Sequence, residues 1–335
     1  MKKPDFAEYL AAYLSKYLPL QMGASTNTIK SYRDSFTIFL RYCRDECRIK
    51  PEKIIMQTLN RKMLEDYLLW LGEKRGCGIS TCNHRLTTLH AFLRYVSVEH
   101  PEHMDVCNEL LAIGLKHAPT KVVEYLSINE LKRIFSKPDI HSAGGKRDLA
   151  ILTLLYDSGA RVQELIDLKI RDIRHNSPAT IKLTGKGNKA RIVPLMPDAT
   201  KIVSDYIEFF SITDPEQHLF FNRRREKLSR SGVKFIISKY TNMVNSGEDP
   251  LSVNKVTPHV FRHSKAMHLV QANVNIIYIR DLLGHVSVQT TEIYAKTDSD
   301  AKRKALEQAS KNIIPQTKFT KQKENELLHW LKNLI

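Results

Sequence analysis

Residues 259–296, HVFRHSKAMHLVQANVNIIYIRDLLGHVSVQTTEIYAK, decide how the rest of the chain is read. Just ahead of them, Thr257 suits a helix N-cap and Pro258 the first helical position, so a helix runs through the histidines. On that helix His259 and Arg262, at i and i+3, share a face and reach one phosphate together. His259 and His263, at i and i+4, also have the spacing of a zinc pair. No Glu follows the first histidine, however, and the Arg262 cation opposes a metal, so no metal is expected. Gly284 ends a second helix, His285 lies in the turn, and Ser287 caps a third helix that carries Tyr294. Taken singly these are ordinary residues: a histidine after glycine is most often a cap, and a lone tyrosine most often packs.

Upstream, DSGARVQELIDL places Arg161 after a Gly-Ala helix stop, with Glu164 one turn on. A guanidinium gives two parallel hydrogen bonds to phosphate oxygens, which lysine cannot imitate, although an i,i+3 pair with Glu164 has the same spacing. ATIKLTG and KARIVPL read as two strands of a hairpin with Lys186 at its tip, and Lys189 and Arg191 compete for the same role. HLFF at 218–221 suggests a further short strand.

The first third is helical. In STNTIKSYRDSFTIFLRYCRD, Ile29, Tyr32, Phe36, Phe39, Leu40 and Cys43 recur at helical spacing behind a Ser25 cap. Lys30, Arg33, Arg41 and Arg44 form one arc of that helix, which suits a phosphate backbone or a solvated face equally. A second helix over 61–71 turns Leu64, Leu68 and Leu71 inward. A third, from about Ser80, turns in Leu86, Leu89, Phe92, Leu93 and Val96. The expected layout is a helical bundle over 1–113, a linker over 114–125, a second domain over 126–314 opened by the capping box SINE, and a tail helix over 315–335. That tail carries Leu327, Leu328, Trp330, Leu331, Leu334 and Ile335 at helical spacing and suits docking on a neighbouring protomer.

Across 335 residues, 52 Lys and Arg outweigh 36 Asp and Glu, a net charge of +16 that favours a polyanion, above all nucleic acid. NRRREKLSR crowds Arg223, Arg224, Arg225, Lys227 and Arg230 together and is a second expected phosphate contact. No apolar run approaches the roughly 20 residues that span a bilayer, and the N-terminal stretch reads as an amphipathic helix, not a signal peptide. Five cysteines in the first third, without paired C-x-x-C spacing, argue for reduced thiols in a cytoplasmic protein.

The ordered set Arg161, Lys186, His259, Arg262, His285 and Tyr294 resembles the tyrosine recombinase (phage integrase) family, in its Xer-like branch. GARVQELIDL is similar to that family's first arginine box, GKGNKARIVPL to its hairpin lysine segment, and HVFRHSKAMHL to its H-x-x-R helix. LLGHVSVQTTEIYA is similar to its closing histidine and nucleophile, and STNTIKSYRDSFTIFLRYC to the start of its core-binding domain.

The resemblance implies a mainly α protein of two domains, a SAM-like helical bundle and an α-rich mixed α/β catalytic domain with a small antiparallel sheet. It implies site-specific cutting and rejoining of double-stranded DNA through a 3′-phosphotyrosine and a Holliday junction, without metal, ATP or other cofactor. Tyr294 is then the nucleophile and His259 its proton acceptor. His285 donates to a nonbridging oxygen, Arg161 and Arg262 hold the phosphate, Lys186 protonates the leaving 5′ oxygen, and Glu164 supports the set. The partners implied are DNA, three further copies in a tetramer, and a second recombinase or accessory protein. The biological settings are chromosome-dimer resolution, phage integration and transposition. A type IB topoisomerase shares this chemistry but lacks the Xer-like boxes. A non-catalytic DNA binder or helix-turn-helix regulator has no use for Tyr294 or the hairpin lysine.

Overall fold

A computed structural model describes residues 4–119, 123–285, 287 and 289–297. The chain divides into two compact units, 1–121 and 122–335. The expected tail helix over 315–335 lies outside the described residues.

The N-terminal unit begins with α1 (Phe6–Ala12), which runs on as a wider π-helical stretch, Tyr13–Gln21. It continues with α2 (Thr26–Asp45), α3 (Arg61–Glu73), α4 (Ile79–Glu99) and α5 (Met104–Leu111). Ser25 caps α2 by accepting from the Thr28 amide at 3.2 Å. The apolar stripe of α2 meets α1 and α4 through aromatic rings: Phe36 and Phe6 each lie 5.3 Å from Phe92, both edge-on. Such geometry sets the positive edge of one ring against the negative face of the next. All five cysteines are free thiols.

The C-terminal unit contains α6 (Ile128–Phe135), α7 (Ala143–Asp157), α8 (Val162–Asp167), β1 (Ile173–Arg174), β2 (Thr180–Thr184), β3 (Ala190–Pro194), α9 (Pro197–Phe209) and α10 (Arg230–Asn245). After these come α11 (Pro258–Gln271), α12 (Ile276–Leu283) and α13 (Gln289–Thr297). The capping box that opens α6 is formed in both directions, Glu130 N to Ser127 Oγ and Ser127 N to Glu130 Oε2. Ala150, Ile151, Leu152, Leu154 and Leu155 are buried around most of the circumference of α7, so this helix forms the axis of the core.

The three strands make one antiparallel sheet in the order β1-β2-β3, with Ile181 opposite Val193 and Leu183 opposite Arg191. Ile181, Leu183 and Val193 point inward, and alternate residues point out. HLFF contributes only isolated bridges, from His218 to Lys169 and from Phe221 to Lys227, because its side chains pack into the core without a partner strand alongside. Among the described residues no helix is long and apolar enough to cross a membrane.

Candidate active site

Segments far apart in sequence meet where α7 ends. Gly159 (φ +58°) turns the chain out of α7, and Arg161 then stands as the residue before α8. Its amide donates to Glu164 Oε2 at 2.9 Å, its Nη1 to Glu164 Oε1 at 2.8 Å, and its Nη2 to the Gly284 carbonyl at 3.1 Å. The side chain stays 37% exposed, so its remaining donors face the open side.

Glu164 is buried and also accepts two hydrogen bonds from Arg191 of β3. Burial by itself raises a carboxyl pKa. Here the Arg191 hydrogen bonds, with those from Arg161, overcome it and hold Glu164 at about 2. Arg191 also donates Nε to the Leu282 carbonyl at 2.8 Å, which ties the hairpin to the end of α12. Room for this approach comes from two glycines. A Cβ on Gly185 would lie 2.9 Å from Glu164 Oε1. One on Gly284 (φ +63°) would lie 3.0 Å from the Arg191 guanidinium.

Arg262 is 3% exposed, and its Nη1 and Nη2 donate to the carbonyls of Gly159 and Leu283, each at 2.6 Å. Burial, then Arg161 and Arg191, lower its pKa to about 10, which leaves it charged at neutral pH. His285 follows the left-handed Gly284 and shares a 2.9 Å hydrogen bond between Nδ1 and Thr291 Oγ1. Burial, then Arg262 and Arg161, lower its pKa to about 4, so it is a neutral imidazole.

Tyr294, on α13, is 3% exposed and packs with Ala266, Met267, Ile279 and Leu283. Burial raises its pKa while Arg262 and Arg161 pull the other way, so both guanidiniums act on the phenol. Its hydroxyl shares a 2.8 Å hydrogen bond with Nδ1 of His263. The resemblance points to His259 for that contact. Instead His259 is exposed one turn earlier on α11, its ring centroid 6.2 Å from that of His263, and no hydrogen bond joins it to Tyr294 among the described residues. The backbone of Lys186 lies in the hairpin tip, a tight turn with Gly187 at φ +74° and Asn188 at φ +58°. Its side chain lies outside the described set.

Arg161, Glu164, Arg262, His285 and Tyr294 are thus brought together, with Arg191 and His263 added to them. Spacing alone makes Arg191 a competitor of Lys186 and His263 a candidate metal ligand. The one available signal for Arg191 was its inward register opposite Leu183.

The expected phosphate contacts have unequal surroundings. Lys30, Arg33, Arg41 and Arg44 are exposed on α2, where Arg33 pairs with Asp34 and Arg44 with Asp45. In the second cluster Lys227 pairs with Asp167, Arg230 donates to Gln163 Oε1 at 2.6 Å, and Arg225 lies 4.6 Å over the Phe221 ring. Arg223 and Arg224 are exposed and make no ion pair among the described residues.

Residues 124–300 match the phage integrase family, and residues 10–100 match its N-terminal SAM-like domain. The chain belongs to the phage integrase family. A Sinorhizobium fredii protein of integrase/recombinase type, y4rC, is 30% identical to this integrase-family chain, over 99% of each. The tyrosine recombinase XerC of Syntrophus aciditrophicus is 32% identical, over 83% of this chain and 90% of its own length. The fold is shared with a XerH site-specific recombinase bound to palindromic difH substrate, at 21% identity and a TM-score of 0.66, covering 85% of this chain and 80% of that one.

Proposed function

We propose that this phage integrase family member is a site-specific recombinase that breaks and rejoins duplex DNA through a 3′-phosphotyrosine on Tyr294. The observation that carries the reading is the meeting of a buried phenol with two guanidiniums, Arg161 and Arg262, each fixed by backbone carbonyls or a carboxylate. A phosphodiester between them gains charge in the pentavalent transition state, and preorganised donors stabilise that charge without reorganising. Arg161 presents its free donors from the open side, while Arg262 supplies fixed positive charge from below. His259 and His285 would meet nonbridging oxygens, and Lys186 would protonate the departing 5′ oxygen, a step worth about 10²–10⁴-fold when the acid is well placed. Glu164 and Arg191 hold Arg161 in position.

The product is a phosphotyrosine ester and a free 5′-hydroxyl. Because the ester keeps the bond energy, a 5′-hydroxyl from another strand reverses the step, and exchange needs no ATP. In the fuller reading both units grip DNA, through Lys30, Arg33, Arg41 and Arg44 in the first and Arg223, Arg224, Arg225, Lys227 and Arg230 in the second. Four copies exchange strands in pairs through a Holliday junction, with a second recombinase or accessory protein where the site requires one. The working compartment is the cytoplasm, where the DNA lies. The Xer-type and integrase-type relatives suit chromosome-dimer resolution or mobile-element integration.

The test is a nicked duplex incubated with the protein in chelator, followed by denaturation. A covalent adduct is expected with the wild type and none with Tyr294→Phe; an adduct that survives the substitution refutes the nucleophile assignment.

A further inference from the structure

We infer that His263 is the group that takes the proton from Tyr294 as the phenol attacks phosphorus. The assignment rests on the proposed nucleophile and sharpens it. Oη of Tyr294 and Nδ1 of His263 are 2.8 Å apart, within the range for direct proton transfer. The rings are tilted by 55° with centroids 5.6 Å apart, so the contact runs edge to edge through the polar atoms and is not a stack. Among the described residues the structure gives that hydroxyl no other hydrogen-bond partner. His259, one turn back, is exposed, and among the described residues no hydrogen bond joins it to the phenol.

Accepting the proton requires a lone pair on Nδ1, hence a neutral ring with its hydrogen on Nε2. The surroundings favour that state. His263 faces His259 and Arg262 from its own helix, Tyr294 from α13 and His285 from the turn after α12. Burial, then His259 and Arg262, lower its pKa. The same cations determine when it acts. A phosphodiester seated between Arg161 and Arg262 brings a negative charge that offsets them, so the imidazolium becomes affordable only with DNA in place. A phenol buried to 3% exposure therefore stays protonated until its target arrives.

In the forward step Oη of Tyr294 bonds phosphorus as the bond from phosphorus to the 5′ oxygen breaks. The phenolic proton passes to Nδ1 of His263, and the departing oxygen takes a separate proton from Lys186. In rejoining, the incoming 5′-hydroxyl gives its proton back to the Lys186 amine as it bonds phosphorus and displaces the phenolate, which recovers its own proton from His263.

The experiment is single-turnover adduct formation by the full chain on a nicked duplex, with DNA binding and thermal midpoint measured alongside. His263→Asn sets an amide near the position of Nδ1, able to hydrogen bond but not to accept a proton; His263→Ala removes both capacities. Each is expected to form adduct about 100-fold more slowly, or worse, with DNA binding retained. Sulfur in place of the scissile 5′ oxygen leaves without needing a proton, so it is expected not to restore either variant. Adduct formation by His263→Asn within about threefold of wild type overturns the inference, since a hydrogen bond alone then suffices. Rescue of either variant by the sulfur substrate overturns it too, because the lost proton transfer was then on the leaving group. Tyr294→Phe separates the two levels. If it is inert while His263→Asn is fast, only the role of His263 falls; if it still forms adduct, the nucleophile assignment falls as well.

Discussion

Arg191 and Glu164 face each other as a parallel two-point ion pair inside the C-terminal unit, with Nη1 3.0 Å from Oε1 and Nη2 2.8 Å from Oε2. The pair joins the hairpin to α8, the helix that Arg161 precedes. Through the Arg191 bond to the Leu282 carbonyl, it also reaches the turn before His285. One carboxylate thereby orients two cations, of which Arg161, with a side chain 37% exposed against 12% for Arg191, is the more open.

Glu164→Gln leaves two guanidiniums short of their counter-charge, and removing one partner of a buried pair costs about 3 kcal/mol or more. The folded pKa of Glu164, about 2, lies below its ordinary 4.5. Its stabilisation is therefore complete above the ordinary value and is lost as pH falls through the folded one. Urea unfolding is expected to show a wide gap between wild type and Glu164→Gln near neutral pH, narrowing as the pH approaches 2. A gap that does not change with pH would count against the ion-pair account.

Arg161→Lys keeps the charge but loses the planar fork that spans Glu164, the Gly284 carbonyl and an incoming phosphate. Cleavage of a nicked duplex is expected to fall about 10²–10³-fold, as when one transition-state donor is removed, with DNA affinity little changed. Single-turnover kinetics with a parallel gel-shift titration check this.

Gly284→Ala places a side chain on a left-handed backbone and 3.0 Å from the Arg191 guanidinium. The backbone alone costs about 1–2 kcal/mol, and Arg191 has to shift as well. Both thermal stability and adduct yield are expected to drop, whereas Gly72→Ala, on an open helical surface of α3, raises stability by up to about 1 kcal/mol and leaves adduct yield unchanged. Differential scanning calorimetry and the adduct assay measure the contrast.

Arg223→Ala and Arg224→Ala remove exposed cations that have no ion-pair partner among the described residues. If each contacts a phosphate, each lowers the slope of log affinity against log salt by about 0.9, equally for cognate and random DNA. Arg225→Ala is expected to act on stability more than on that slope, since its guanidinium packs over Phe221. Fluorescence titrations over a range of salt separate these effects.

The regular elements were largely legible because their causes are local. The Ser25 cap, the SINE capping box, the Thr257-Pro258 helix start and the Gly284 stop each rest on residues within one turn of one another. The helices α9 and α10 carried the same kind of signal, in Ala199, Val203 and Tyr206 and in Val233, Ile236, Ile237, Tyr240 and Val244. HLFF forms isolated bridges and no named strand, because an apolar run fits core packing whether or not a neighbouring strand is there to pair with it.

What the sequence determined by itself was the chemistry on offer: a phenol, two histidines ahead of it, fixed cations, and a basic chain to meet DNA. Spacing along α11 sets His259 and His263 on one face, and the family resemblance points to His259 as the proton acceptor. Which histidine meets the phenol depends on tertiary structure: α13 arrives from 31 residues away and brings the Tyr294 hydroxyl within hydrogen-bond distance of His263. The same holds for Arg191, whose work depends on Glu164, 27 residues back, and on a carbonyl 91 residues ahead. Hydrogen bonds act over about 3 Å, and only the packing of the helices decides which distant groups come within that reach.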